Sequence, residues 1–298
     1  MDINKKSLDT LFLGFKNNFA GGMAMAPDSW QKFAGTVPSG TSGNIYPFLE
    51  QFGGMRKWVG NRQIKNIASH SLPVYNDEYE DTVSVKRPHI RDDQYGIYSK
   101  HLADLGLNAA KLWNDLAYEA LVDSTGKWLD GKAFYATDRK YGKSTICNKC
   151  TAALSDTTFN TAYQTMLSYR GHNDRSIGIM PNLLICGPKL RQTAWNIVKN
   201  EFTYNGTDKV QIKNMNQNVV ELHVALELIG DYDDYWFLAA TNGVLKPVMV
   251  QQRELPVLTR LDKADDENVF MANEYIYGTN ASGASFKSMP HLIYAGIL

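Results

Sequence analysis

The chain has 298 residues, 44% of them hydrophobic and 21% charged, a balance that fits one large folded domain or two ordinary ones. Lysine plus arginine and aspartate plus glutamate number 31 each, so the formal net charge is zero. That excludes a dedicated nucleic-acid binder with its basic stripe, though not contact with packaged nucleic acid on one face. No apolar run approaches the length of a membrane span, and three cysteines suggest a reducing compartment without a disulfide framework.

Residues 1–44 are rich in Gly, Ala, Ser and Asn, with Gly21-Gly22 and Gly40-Thr41-Ser42-Gly43, and read as an extended or partly helical arm. Lys5 and Lys6 precede Leu11-Phe12-Leu13, but Lys16 and Asn17 interrupt any signal-peptide core. Phe12, Phe15 and Phe19 recur at helical spacing, with Trp30 and Phe33 further along. Left exposed, these rings would form an apolar patch of the kind that soluble monomers avoid. The polar segment 35–44 separates them from an expected β-hairpin, so they are expected to dock on a neighbouring subunit, along the long helix or near Trp58.

Residues 45–61 carry Phe48, Phe52, Arg56 and Trp58, then Gly60-Asn61-Arg62 at the foot of that hairpin. The stretch 62–123 organises the chain. Tyr79, Val83 and Val85 alternate with Glu80, Thr82, Ser84 and Lys86, the period of two of a half-exposed strand. Asn76-Asp77 stands where the hairpin turn belongs. A hairpin so polar on one side has little of its own to pack against and reads as an arm resting on another molecule. Pro88 closes the strand, and Asp92 and Asp93 offer caps for a helix. Residues 94–122 contain no proline, and Leu102, Leu105, Ala109, Leu112, Leu116 and Ala120 line one face of a helix roughly 40 Å long.

A Gly-rich stretch, 126–142, comes next, with a short strand around Phe134-Tyr135. Ser155 or Asp156 caps a helix through Phe159, Ala162, Tyr163, Met166 and Leu167, which Gly171 stops. Leu183-Leu184-Ile185-Cys186 reads as a buried strand. Gly187-Pro188 turns it into a helix through Leu190, Ala194, Ile197 and Val198. Residues 200–217 are polar and read as loop. Strands are expected at 220–228, 235–241, 248–252, 270–277 and 292–297. The mixed order with strands clustered late predicts an α+β fold, without internal repeats.

Candidate chemistry does not assemble. Gly126-Lys127-Trp128-Leu129-Asp130-Gly131-Lys132-Ala133 lacks the Ser or Thr of a phosphate-binding loop and lies after a helix, not a strand. Proline in Gly187-Pro188 removes a phosphate-binding N–H. Cys147 and Cys150 have metal-ligand spacing but no second pair, with Cys186 in an apolar strand and His172 merely available, so two loop thiols are expected. Asp231, Asp233 and Asp234 lack calcium-loop spacing and read as a solvated turn. No His-x-x-x-His pair or nucleophile elbow occurs. The sequons at Asn205 and Asn280 matter only on secretion. No cofactor, metal or catalytic site is expected.

The segments Arg56-Lys57-Trp58-Val59-Gly60-Asn61-Arg62 and Asp92-Asp93-Gln94-Tyr95-Gly96-Ile97-Tyr98 resemble the Mu-like phage major head subunit family, often called gene product T. The Ala109-Ala110 helix, the segment from Asp130-Gly131 to Asp138 and Leu183-Leu184-Ile185-Cys186-Gly187-Pro188 are similar to it too. The likeness covers nearly the whole chain, although Asn61 stands where Asp is expected and Ala136 and Arg139 depart from an acidic, His-containing pattern. The resemblance implies the Hong Kong 97-type major capsid fold: an N-terminal arm (1–44), an extended hairpin loop and its foot (45–92), a peripheral domain with a spine helix (93–150), an axial domain (151–261) and a return to the peripheral domain (262–298). It implies self-assembly of hexamers and pentamers into an icosahedral shell around phage DNA, in the bacterial host cytoplasm. The partners implied are the chain itself, portal, scaffolding and decoration proteins, and double-stranded DNA held non-specifically, with no membrane. Subunit contacts are expected from Phe12, Phe15 and Phe19 of the arm, Arg56, Trp58 and Arg62 of the foot, and Tyr75, Tyr79 and Lys86 of the hairpin. Lys65 and Lys86 are available for covalent cross-links, but this family is not expected to form them. The alternatives are an encapsulin-like compartment of the same fold and a soluble enzyme without a recognisable motif.

Overall fold

The computed structural model describes residues 5–49, 69–92, 96–141, 144–171, 174–204, 211–263 and 265–298. Helix α1 (Lys5–Met23) gathers Leu8, Leu11, Phe12, Phe15, Phe19 and Met23 on one stripe, the spacing of a helix with one buried face. A single 3-10 turn (Ser29–Lys32) leads to β1 (Ala34–Pro38), β2 (Gly43–Leu49), β3 (Ser69–Tyr75) and β4 (Asp77–Lys86). A short α2 (Arg87–Arg91), with Pro88 in its first turn, precedes the long α3 (Ile97–Val122). At 26 residues and about 1.5 Å per residue, α3 is about 39 Å long.

The pairing of β3 differs from the sequence expectation. It does not form a hairpin with β4; it runs antiparallel to β2, from Gly43 opposite Tyr75 to Leu49 opposite Ser69. β4 pairs instead with β14 (Glu274–Lys287) over ten residues. The reason is burial. Tyr79, Val83 and Val85 point to a core built by other parts of the chain, and satisfying that face outweighs a local turn at Asn76. The start of α3 also differs. Its N-cap is Gly96, in the left-handed region at φ 64°, whereas Asp92 ends α2.

The remaining elements are β5 (Arg139–Tyr141) and β6 (Ser144–Ile146), paired antiparallel, then β7 (Lys149–Cys150) and α4 (Asp156–Leu167). Ser155 caps α4 in a reciprocal box with Thr158. Then come β8 (Leu183–Cys186), α5 (Arg191–Val198), β9 (Phe202–Tyr204) and β10 (Gln211–Lys213). The last two form a small antiparallel pair inside the stretch read as loop. β11 (Glu221–Val224), β12 (Trp236–Ala239), β13 (Val248–Leu261), α6 (Glu267–Ala272), β14 and β15 (Ile293–Gly296) complete the chain. A helix, α6, therefore stands at Phe270 where a strand was expected to begin; Asn273, left-handed at φ 53°, ends it.

Two sheets carry the architecture. One orders its strands β1-β13-β14-β4 and the other β11-β8-β12-β15-β7. The second sheet is buried on both faces, which is why β8 and β12 read as unbroken apolar runs. Leu184, Cys186, Trp236 and Leu238 face α4 and α5, through Phe159, Ala162, Met166, Ala194 and Ile197. Leu183, Ile185, Phe237, Ala239, Ile293 and Ala295 face the C-terminal half of α3, together with Trp30, Phe33, Phe134 and Tyr135. The chain crosses between the sheets: β13 leaves the 151–261 stretch for the first sheet, while β7 and β15 join the second.

Candidate assembly interface

The pair β2–β3 is bonded to no third strand among the described residues, so it forms a two-stranded arm. Its base is fixed by a polar hub. Asn76, the single residue between β3 and β4, donates from Nδ2 to Ser39 Oγ (2.9 Å) and to the Thr41 carbonyl (2.8 Å). Its Oδ1 accepts from Gln251 Nε2 at 2.6 Å, and its backbone N–H donates to the Ser42 carbonyl at 2.9 Å. The Tyr46 hydroxyl donates to Gln251 Oε1 at 2.5 Å, and its ring stacks on Phe286 with centroids 4.6 Å apart. Val74, Met249, Ala284 and Phe286 supply a small apolar floor beneath. Gln251 is fully buried, so its amide has to be satisfied by these partners. The sequence signal for this hub was Asn76 itself, read there as a turn residue.

Above the hub the arm presents apolar side chains to solvent: Ile45 is 70% and Tyr75 72% exposed. Tyr79 is half-buried against the main core, and burial together with the carboxylates of Asp77 and Glu119 pushes its hydroxyl pKa up. Lys86 is exposed at the end of β4. Arg56, Trp58 and Arg62 lie outside the described residues.

The arm phenylalanines are placed differently from the expectation of a neighbour's groove. Phe15 and Phe19 are 2% and 3% exposed, and the groove they fill belongs to this chain. They pack with Leu102 and Leu105 of α3 and Tyr275 and Tyr277 of β14, and Phe15 meets Tyr277 edge-on at 5.2 Å. Phe12 lies under the Arg260 guanidinium at 4.3 Å, and Arg260 also bonds Asp9 at 2.6 Å. Glycine makes the fit possible. A Cβ at Gly22 would fall 1.8 Å from the Ala103 carbonyl oxygen, and one at Gly106 would fall 2.1 Å from that of Phe19. The two helices cross backbone to backbone. Trp30 and Phe33 likewise enter the chain's own core, with Phe33 edge-on to Tyr118 at 5.0 Å.

A buried polar joint links α3 to the second sheet. Tyr118 Oη and His223 Nε2 are 2.7 Å apart, Asn114 Nδ2 donates to Glu227 Oε1 at 2.5 Å, and Ser29 Oγ donates to Asn114 Oδ1 at 3.3 Å. Burial lowers the His223 pKa, which favours the neutral ring. At the C-terminus of α3, Asp123 accepts from Lys287 Nζ at 2.8 Å and from the N–H groups of Thr125 and Gly126. Burial alone would raise the Asp123 pKa, but the hydrogen bonds from Lys287 and Thr125 prevail and bring it to about 2. The stretch resembling a phosphate loop is therefore the turn that ends α3.

No group of three or more His, Cys, Asp or Glu side chains able to hold a metal occurs among the described residues. Cys147 and Cys150 are half-buried, and burial pushes the Cys186 thiol up to about 12, which makes it a poor nucleophile. Asp234 pairs with Lys189 at 2.8 Å. No described helix is long and apolar enough to cross a membrane.

The family described as the Mu-like prophage major head subunit gpT matches residues 8–153, 141–227 and 221–296. The chain is similar to the Mu-like prophage FluMu major head subunit of Haemophilus influenzae, 24% identical over 287 residues, covering 95% of this chain and 71% of that one. It is similar also to the major capsid protein of Escherichia phage Mu, 24% identical over 293 residues, covering 97% and 74%. Among solved structures, the bacteriophage JBD30 procapsid superposes with a TM-score of 0.61 at 24% identity, over 99% of this chain and 76% of that one. The mature capsid of bacteriophage PhiM1 superposes with a TM-score of 0.59 at 10% identity, over 91% and 87%. The JBD30 capsid decorated with minor capsid protein trimers gives 0.59 at 22%, over 68% and 91%.

Proposed function

Because the chain belongs to the Mu-like prophage major head subunit family, we propose that it closes hexamers and pentamers into an icosahedral shell by laying its β2–β3 arm on a neighbouring subunit. It is a major capsid protein, a structural component of the virion rather than an enzyme. The observation that carries the arm's role is the hub at Asn76 and Gln251 beneath exposed Ile45 and Tyr75: the base is held firmly while the apolar surface above is left open. Such a surface stabilises only once another molecule covers it.

The shell encloses double-stranded DNA without base recognition, consistent with a zero net charge. Portal and scaffolding proteins guide its closure in the host cytoplasm. A minor capsid protein decorates the related JBD30 capsid, and a decorating partner is proposed here by that likeness. A compartment that encloses enzymes is not favoured, since the family match is to head subunits.

Electron microscopy of particles purified after expression of the full chain tests the reading, with a variant carrying Ile45→Ser and Tyr75→Ser on the arm. Closed shells are expected from the full chain, and folded but unassembled subunits from the variant. Normal shells from the variant would show that the arm does not close the lattice.

A further inference from the structure

We infer that Asn242, in the link between β12 and β13, is a site of self-modification: the backbone nitrogen of Gly243 attacks its side chain and deamidates it, while Asn182 steadies the charge that develops. The inference concerns the single subunit and does not draw on the shell reading.

Asparagine is followed by glycine at two places in the chain, Asn205-Gly206 and Asn242-Gly243. At the second, Asn242, Gly243, Val244 and Leu245 are all exposed. No hydrogen bond holds the Gly243 N–H among the described residues. Glycine lacks a Cβ, so its backbone turns freely enough to bring its nitrogen onto the side chain before it. Asn182 supplies the electrostatic part. Its own N–H donates to the Ala239 carbonyl at 2.9 Å, and its carbonyl accepts from the Glu221 N–H at 2.8 Å, so its backbone is fixed on both sides. Its side-chain Oδ1 accepts from the Thr241 N–H at 2.6 Å. That leaves Nδ2 as the end that donates to Thr241 Oγ1 at 2.8 Å and to Asn242 Oδ1 at 3.2 Å. A donor therefore points at Asn242 Oδ1, the atom that takes up negative charge when the side-chain amide is attacked. A donor placed in advance stabilises such a charge without reorganisation.

The atoms balance. Hydroxide takes the proton from the Gly243 N–H, the nitrogen bonds to Asn242 Cγ, and Oδ1 carries the charge of the tetrahedral intermediate. As the intermediate collapses the Cγ–Nδ2 bond breaks, and the amide nitrogen leaves as ammonia with a proton from water, which restores the hydroxide. The product is a five-membered cyclic imide. Water opens it at Cγ to give aspartate, or at the Asn242 backbone carbonyl carbon to give isoaspartate. The net change is one water taken up and one ammonia released, with nothing oxidised or reduced. Each conversion adds one carboxylate to a chain of zero net charge. The isoaspartate form also routes the backbone through the former side chain, which adds one carbon to the link that ties β12 in the second sheet to β13 in the first.

The test incubates the purified full chain at mildly alkaline pH and maps its peptides by mass spectrometry, with isoaspartate read by isoaspartyl methyltransferase labelling. Asn242 is expected to convert to a mixture of aspartate and isoaspartate while circular dichroism shows the subunit still folded. Conversion at Asn205 is the internal reference. Asn182→Asp keeps the acceptor for the Thr241 N–H and removes the donor to Asn242. It should slow Asn242 relative to Asn205 about fivefold, the loss of one hydrogen bond of about 1 kcal/mol in the transition state. In urea, where the fold is gone, the wild-type and Asn182→Asp chains should convert Asn242 at equal rates. Gly243→Ala should stop conversion at Asn242 and leave Asn205 unchanged; its Cβ meets nothing closer than the Leu245 carbonyl oxygen at 3.4 Å, so the link can keep its path. An Asn242 that stays intact in the folded chain over the time in which the unfolded chain converts overturns the site, as does an undiminished rate in Gly243→Ala. A folded Asn182→Asp chain that converts Asn242 as fast as the wild type overturns the role given to Asn182.

Discussion

Replacing Gly106 with alanine or valine should loosen α1 from the subunit. The added Cβ would lie 2.1 Å from the Phe19 carbonyl oxygen, whereas carbon and oxygen approach to about 3.3 Å at closest. The obstacle is backbone, so no rotamer change relieves it and α1 has to withdraw by about 1 Å. A gap of 0.5–1 Å forfeits roughly a quarter to a half of a contact's dispersion energy. Phe15 and Phe19 are nearly fully buried, and burying each ring contributes about 2–3 kcal/mol. Losing a quarter to a half of that total costs about 1–3 kcal/mol for alanine, and more for valine. Urea unfolding of the subunit measures the loss, and limited trypsin cleavage at exposed Lys16 reports whether α1 has lifted. Gly14→Ala is the control, since its Cβ meets nothing within 4 Å and a mid-helix glycine costs about 0.5–1 kcal/mol relative to alanine. Equal unfolding midpoints for Gly106→Ala and Gly14→Ala would refute the close-crossing argument.

The same geometry carries further expectations. Asn76→Ala leaves the buried Gln251 Nε2 with only the long bond to the Val74 carbonyl (3.5 Å) and should cost about 1–3 kcal/mol, with faster hydrogen exchange across β2 and β3; unchanged exchange there would remove the hub from the account. Burial lowers the His291 pKa to about 4, so the folded ring takes its proton near pH 4 and the unfolded one near 6.5. The unfolded state therefore binds more protons between those values. Stability should fall by about 3 kcal/mol as pH drops through that window, and His291→Gln should flatten the profile; a wild-type profile flat from pH 6.5 to 4 would count against it. Asp123 has the opposite sign of charge and a lower window. Its contribution is present above pH ~4 and lost toward pH 2, worth about 1 kcal/mol after allowance for its exposure. Asp123→Asn should remove that limb of the acid titration, and an unaltered limb would assign it elsewhere.

What was legible in the chain was what is local. The alternation of Tyr79, Val83 and Val85, the stripe along α3 and a cap at Ser155 each declare themselves within a few residues, and each appears in the structure. What was not legible is which surface meets which. Asn76-Asp77 carries the same local signal whether it turns a hairpin or serves as a single-residue elbow; the choice is made by Gln251 and Ser39, far away in sequence. The phenylalanine stripe of α1 was visible, but its partner was not, because an apolar stripe states only that burial is required. Gly106 was the available clue. A glycine in the middle of a long helix, directly after Leu105 of the apolar face, is costly unless something approaches closely there, and Gly21-Gly22 on α1 offered the matching gap. Taken together, these glycines would have pointed to α1 crossing the chain's own long helix. The surface that stays open after that crossing, on the β2–β3 arm, is the one the proposed shell contact would cover.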